Sequence, residues 1–303
     1  MKGNILGRLL RNTSFCHFNT NYILPTHMKK QLMSVAVAAS LLTACGGAQK
    51  TPAEAEKFDY TVEQFADLQI LRYRVPEFEN LSLKQKELVY YLTEAALQGR
   101  DILFDQNGKY TLRIRRMLET DYTGYTGDKT TADFKAMEVY LKRVGFSNGI
   151  HHHYGCEKFV PGFTPEFFRK ALLSVDASKL PLAEEQTVEQ LYEEVAPVIF
   201  DPKVMPKRVN QAAGEDLVLT SACNYYDGVT QQEAEDFYGA MKDPKDETPV
   251  SYGLNSRLVK EDGKIREKVW KVGGLYGQAL EKIVYWLKKA EGVAENPEQK
   301  AVI

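Results

Sequence analysis

No histidine in this 303-residue chain is followed by glutamate. The five histidines stand at positions 17, 27 and 151–153, so the helix-borne His-Glu-x-x-His arrangement of a hydrolytic zinc site is absent from the sequence. Cysteine is scarce: Cys16, Cys45, Cys156 and Cys223 have neither the spacing of a zinc knuckle nor that of a redox pair. No apolar run reaches the roughly 20 residues needed to span a bilayer. There is no excess of positive charge. The first 45 residues carry five basic and no acidic residues, which leaves 34 basic against 41 acidic residues in the remainder. An acidic body of this kind excludes nucleic acid as a partner, because binding to phosphates needs a positive footprint.

What is present begins with a leader. Lys29 and Lys30 precede a short apolar run, Leu32 to Leu42, which ends in Leu42-Thr43-Ala44-Cys45-Gly46. A positive start, a short apolar stretch and small residues before a cysteine describe a bacterial lipoprotein signal over residues 28–45, with lipid carried on Cys45. The expected location is therefore the periplasmic or cell-surface side of a bacterial membrane. Residues 1–27 have no signal logic of their own and are expected to reflect an over-early start, with Met28 the true one. Residues 46–60, small and polar at first, read as a flexible tether, and residues 61–303 as the folded body.

Within the body the expected class is α+β, with helices first and then a mainly antiparallel sheet mixed with helices. Ser82-Leu83-Lys84-Gln85, Thr187 to Gln190 and Thr230 to Glu233 are capping boxes, and Thr164-Pro165 is an N-cap followed by proline. The third box predicts a helix ending near Asp243-Pro244. Ser251 to Lys260 and Lys264 to Val272 read as two strands joined through Asp262-Gly263, and Leu217 to Tyr226 as a third. A helix with Leu280, Ile283, Val284 and Leu287 on one face ends near Gly292. Asn296-Pro297 opens another, which is either a frayed tail or the start of something longer.

The conspicuous polar cluster is His151-His152-His153. Adjacent imidazoles in a strand or loop point to alternate sides, which disfavours convergence on one ion. The remaining readings are a loop lining a polar cleft and a plain exposed loop. Cys156 or Cys223 beside a histidine would make a thiol nucleophile only with an imidazolium-stabilised thiolate, and the two cysteines read more naturally as free thiols than as a pair. Gly273-Gly274-Leu275-Tyr276-Gly277 reads as a tight strand-to-helix turn, since no phosphate-loop or dinucleotide pattern accompanies it.

Four ordered segments resemble the dipeptidyl peptidase III family of zinc metallopeptidases. They are Phe146-Ser147-Asn148 through Tyr154-Gly155 to Lys158-Phe159-Val160-Pro161; Tyr225-Tyr226-Asp227-Gly228 into Asp236-Phe237; Asn255 to Lys260; and the helix from Gly277 to Asn296-Pro297. The resemblance implies the N-terminal, β-core-containing lobe of a two-lobed enzyme that releases dipeptides from the N-terminus of short peptides. Zinc would belong to the full-length enzyme, its ligands lying beyond this sequence, and the chain would be truncated at its C-terminus and inactive alone. Implied cleft residues are His151, His152, His153, Tyr154, Lys158 and Asn255, with Tyr154 where the family places an aromatic against the bound peptide. The triple histidine departs from the family loop. The alternative reading is a non-catalytic surface lipoprotein that binds peptide or glycan.

Overall fold

The computed structural model describes residues 58–248 and 250–303. The leader, Cys45 and most of the tether lie outside the described residues. Chain contacts divide the molecule after Arg74. The part of the first unit that is described is a hairpin, β1 (Thr61–Phe65) and β2 (Leu68–Leu71), paired antiparallel from Phe65↔Leu68 to Thr61↔Leu71. Its two-residue turn places Ala66 at φ 48°. The guanidinium groups of Arg72 and Arg74 lie 4.8 and 4.5 Å from the Phe58 ring centroid. This hairpin precedes the helices and was not expected, because Ala66-Asp67 carries none of the glycine or asparagine chemistry by which such a turn is read.

The second unit, Val75–Ile303, begins with helices: α1 (Leu83–Gln98), α2 (Arg100–Asn107), α3 (Thr111–Gly124), α4 (Ala132–Ser147), α5 (Pro165–Ser174) and α6 (Val188–Phe200). The expected caps form. Ser82 and Thr187 accept from the backbone N–H three residues on, while Gln85 and Gln190 reach back. Each such cap satisfies donors that a helix start leaves orphaned, at about 1 kcal/mol apiece. Ile114, Met117 and Leu118 of α3, Met137 and Val144 of α4, Phe168 and Leu172 of α5, and Leu191 and Val195 of α6 are fully buried and form the helical core. Helix α1 packs instead against α8 (Gly277–Glu291), where Trp286 stacks on Tyr91 and meets Tyr90 edge-on.

A three-stranded sheet follows: β3 (Tyr226–Asp227), β4 (Ser256–Glu261) and β5 (Lys264–Val269), in that order, with β3 parallel and β5 antiparallel to β4. The β4–β5 turn uses Asp262 at φ 50° and Gly263 at φ 72°, the primed geometry the dipeptide predicts. Helix α7 (Gln231–Gly239) covers one face, its Ala234 joining Val229 and Leu258 in a buried cluster with Phe237, Tyr238 and Ile265 around it. A short α9 (Pro297–Val302) ends the chain, capped by Asn296. The fold is α+β with a small, mainly antiparallel sheet.

Four boundaries differ from expectation. The expected strand from Leu217 shrinks to Tyr226–Asp227, because Asp216 Oδ1 captures the backbone N–H groups of Val218 and Leu219 and the hydroxyls of Thr220 and Ser221 fold back onto carbonyls four residues earlier. Local side-chain bonds of this kind compete with a sheet ladder. Strand β4 starts at Ser256 rather than Ser251, and β5 stops at Val269 rather than Val272. Helix α7 stops at Gly239, before Asp243-Pro244.

Candidate functional site

The candidate residues His151 to Lys158 form a small hairpin at the end of α4. Asn148 takes the left-handed C-cap of that helix (φ 51°), and its carbonyl accepts from Asn107 Nδ2 at 2.9 Å. His151 and Lys158 face each other as an antiparallel bridge, His152 N–H donates to Glu157 O, and Cys156, itself at φ 64°, donates back to His152 O. The hairpin connects onward to the sheet. Lys158 and Cys156 bond to Pro206 and Arg208, Arg208 O accepts from Cys223 N–H, Asn224 O accepts from Arg257 Nε at 2.9 Å, and Tyr225 O accepts from Leu258 N–H. An irregular extended layer therefore runs from the hairpin through residues 206–208 and 222–225 to β4.

Each histidine has a distinct environment. His151 is 2% exposed, and its Nε2–H donates to Met205 O at 2.9 Å. That leaves Nδ1 as a buried acceptor without a partner. Burial, with Lys158 and Arg208 nearby, holds this imidazole neutral, its pKa lowered to about 4. His152 Nδ1 accepts from the N–H groups of both Tyr154 and Gly155, at 3.2 and 3.0 Å, so its proton sits on Nε2. His153 lies 4.5 Å from His152, ring to ring, with Nδ1 3.4 Å from Ser147 Oγ. A metal needs an imidazole lone pair. In His151 the unprotonated nitrogen is enclosed, and in His152 it is already engaged by two donors. Among the described residues no three His, Cys, Asp or Glu side chains gather as a metal set. The residues present do not fit a zinc ion.

The tip of the hairpin is an aromatic surface. Tyr154 is 85% exposed and packs 4.4 Å from His153, whose other side meets Phe146 edge-on at 5.0 Å. Lys158, by contrast, turns inward. Its ammonium donates to the carbonyls of Val198 (3.0 Å), Val204 (2.5 Å) and Asp201 at the end of α6. Three donors thus meet three acceptors, and partial burial lowers the lysine pKa. Asn255 belongs to another element: it is exposed at the entry to β4, and its carbonyl accepts from Trp270 N–H at 2.8 Å. The candidates therefore divide into a surface group (His152, His153, Tyr154), an anchoring pair (His151, Lys158) and a separate strand residue (Asn255).

Arg208 is a contributor that sequence reasoning missed. Its Nη2 donates to His153 O at 3.0 Å and lies 3.6 Å from Cys156 Sγ. Nothing in Pro206-Lys207-Arg208 announces this role. Cys156 and Cys223 are both free thiols, and burial pushes the Cys223 thiol up. Two open depressions of about 390 and 350 Å3 lie along α3 and α5 and contain none of the candidate residues.

The fold and site thus define an α+β unit that presents an aromatic hairpin beside a small sheet. Comparison with protein-family models and with curated proteins finds no match. Among solved structures the chain is similar to one described as "Structure of DPP III from Caldithrix abyssi", at 17% identity and a TM-score of 0.43. The match covers 74% of this chain and 30% of that one, so this chain spans under a third of that protein's length. The structural relationship is distant.

Proposed function

We propose that this chain is the peptide-holding, β-core-containing lobe of a zinc-dependent exopeptidase of the dipeptidyl peptidase III kind. The full-length enzyme would release dipeptides from the N-terminus of short peptides, with the zinc ligands supplied outside these 303 residues. The carrying observation is spatial. Three of the four segments whose sequences resemble that family converge on one hydrogen-bonded layer: the hairpin after α4 reaches Tyr225–Tyr226 through Arg208, and Tyr225 bonds β4. The fourth, the helix from Gly277, lies outside that layer; the residue before it, Tyr276, donates its hydroxyl to Asp105 beside Arg257.

In this reading the chain's chemical contribution is orientation. The exposed Tyr154 ring, backed by His153 and Phe146, offers an apolar and π-rich surface to an extended peptide, while the sheet beside it offers backbone partners. His151 is enclosed, and its exposed neighbours rather than its own ring face a ligand. Binding a substrate in a fixed pose lowers the barrier for a reactive group brought from elsewhere. Export and anchoring through lipid on Cys45 belong to the same proposal, with the chain held near a bacterial membrane by the acyl groups.

The 303-residue chain is expected to bind tetrapeptides yet to release no dipeptide from a dipeptidyl reporter, with or without added zinc. Zinc-dependent release by this chain alone would overturn the assignment of the metal to a different stretch of polypeptide. Coding sequence in frame after Ile303 that specifies His-Glu-x-x-x-His would support the enzyme; lack of any tetrapeptide affinity would defeat the peptide-holding role. Metabolic labelling with a fatty-acid probe, lost in Cys45→Ser, tests the anchor.

A further inference from the structure

The carbonyl oxygens of Val198, Asp201 and Val204, at the end of α6, all accept from the Lys158 ammonium. Such a cluster suits an ammonium: three oxygen acceptors at a helix C-terminus, where the backbone dipoles favour positive charge. The cage is filled from the hairpin. Opposite Lys158, across the bridge at the hairpin base, His151 sends its Nε2–H to Met205 O, the next residue after the last carbonyl of the cage. Two facing residues of one hairpin thus grip one segment, residues 198–205, next to the backbone bonds that Lys158 and Cys156 make to Pro206 and Arg208.

We infer that Lys158, seconded by His151, is a positioning residue: an internal cation that docks the hairpin base into the α6 carbonyl cage and so fixes the aromatic tip at Tyr154. Beyond the backbone bonds of Lys158 and Cys156 to Pro206 and Arg208, the tip makes few contacts of its own. Tyr154 is exposed, and the amides of Tyr154, Gly155 and Cys156 bond only within the hairpin, to His152 Nδ1 and His152 O. Arg208 steadies the same turn through His153 O. Without the Lys158 ammonium the hairpin keeps its backbone bonds to residues 206–208 but loses its tie to α6, and the turn gains freedom to leave one pose. The consequence for ligands rests on the peptide-holding role proposed above; the docking itself does not.

The test uses the whole chain and exploits the cage. Lys158→Ala removes three methylenes and the ammonium, the shape of propylammonium, which can be supplied in solution. Hydrogen exchange followed by mass spectrometry reads the peptide spanning the hairpin, and tetrapeptide affinity is measured in parallel. In Lys158→Ala and Lys158→Met the hairpin amides should exchange about tenfold faster or more, with the α3–α4 core unchanged. Propylammonium should restore protection in Lys158→Ala but leave wild type and Lys158→Met as they were. Lys158→Arg, which keeps the charge on a poorer shape, should fall between and serves if the alanine variant does not fold. Unchanged exchange in Lys158→Met, or a loss in Lys158→Ala that propylammonium leaves untouched, overturns the inference. Tetrapeptide affinity should fall about tenfold with the tip released. If wild type binds no tetrapeptide while the exchange pattern appears as stated, the peptide-holding role fails and the docking stands.

Discussion

Asp105 Oδ2 accepts from Arg257 Nη2 at 2.5 Å and also from the hydroxyl of Tyr276, joining residues 152 and 171 positions apart. One carboxylate of α2 thereby fastens the strand β4 and the turn that enters α8. Both side chains of the ion pair are largely sheltered from water, and Arg257 is further fixed by Asn224 O. Burial and the Asp105 carboxylate together push the Tyr276 phenol well up, so it remains a donor at any ordinary pH. Asp105→Asn removes the charge that Arg257 is built against and should lower stability by about 2–3 kcal/mol, whereas Tyr276→Phe, which deletes one hydrogen bond, should cost about 1 kcal/mol. Urea denaturation of the two variants checks the ratio; equal effects would show that the guanidinium has another partner.

Asp121 on α3 makes the opposite kind of statement. It is fully buried, neither carboxylate oxygen has a hydrogen-bond partner, and desolvation raises its pKa to about 8. Below the ordinary carboxylate pKa the group is neutral in both states and adds no pH dependence. Between about pH 4 and pH 8 the unfolded chain gives up the proton and the folded one keeps it, so stability falls by about 1.4 kcal/mol per pH unit and then levels off. Asp121→Asn, a near-isosteric neutral amide, should therefore flatten that slope and raise stability at pH 7 by about 2–4 kcal/mol. Melting temperatures of both proteins at pH 5 and pH 8 test this; a variant less stable than wild type at pH 8 would mean that the carboxylate has a role the packing does not reveal.

His151 gives an acid-side counterpart. Its folded pKa lies below the unfolded value, near 4 against an ordinary 6.5, because burial and the nearby Lys158 and Arg208 cations oppose a charged ring. The stability it contributes is complete above pH 6.5 and is lost as the pH falls toward 4, where the unfolded state gains a proton first. His151→Gln, able to donate to Met205 O without titrating, should narrow the gap in melting temperature between pH 7 and pH 5. A gap as wide as that of wild type would place the acid sensitivity on other groups.

Tyr154 separates binding from folding. With 85% of its surface exposed and only ring contacts to its neighbours, Tyr154→Ala should leave stability within about 0.5 kcal/mol of wild type. If the tip holds peptide, tetrapeptide affinity should drop by about tenfold, the worth of one aromatic contact. Calorimetry reads both quantities on one sample, and undiminished affinity would move the peptide surface elsewhere.

Much of the local architecture was legible because its determinants are local. Ser82, Thr164, Thr187, Thr230 and Asn296 each accept the backbone N–H that their position after a loop and before a helix implies. Asp262-Gly263 turned as its φ preferences require. The errors share a cause as well. The stretch from Leu217 is strand-like in composition, but Asp216, Thr220 and Ser221 satisfy its backbone at short range before any ladder can. The hairpin at Ala66-Asp67 forms without a turn signal, its geometry imposed by the pairing of its strands.

The candidate site shows the limit most clearly. From the sequence, His151, His152, His153 and Lys158 are equivalent members of a polar cluster. Alternation along an extended chain says that neighbours face different ways, yet His152 and His153 stack ring to ring at 4.5 Å while His151 alone is enclosed. Which of them would be enclosed, which would carry its proton on Nε2, and that the lysine would turn toward α6, depended on Met205, Val198, Asp201 and Val204, some 40 to 54 residues away in sequence. Caps, turns and helical stripes are decided by atoms within a few residues, so the sequence by itself determined them. The protonation and reach of a polar side chain are decided by whichever acceptors the folded chain brings within 3 Å, and only the tertiary structure decided those.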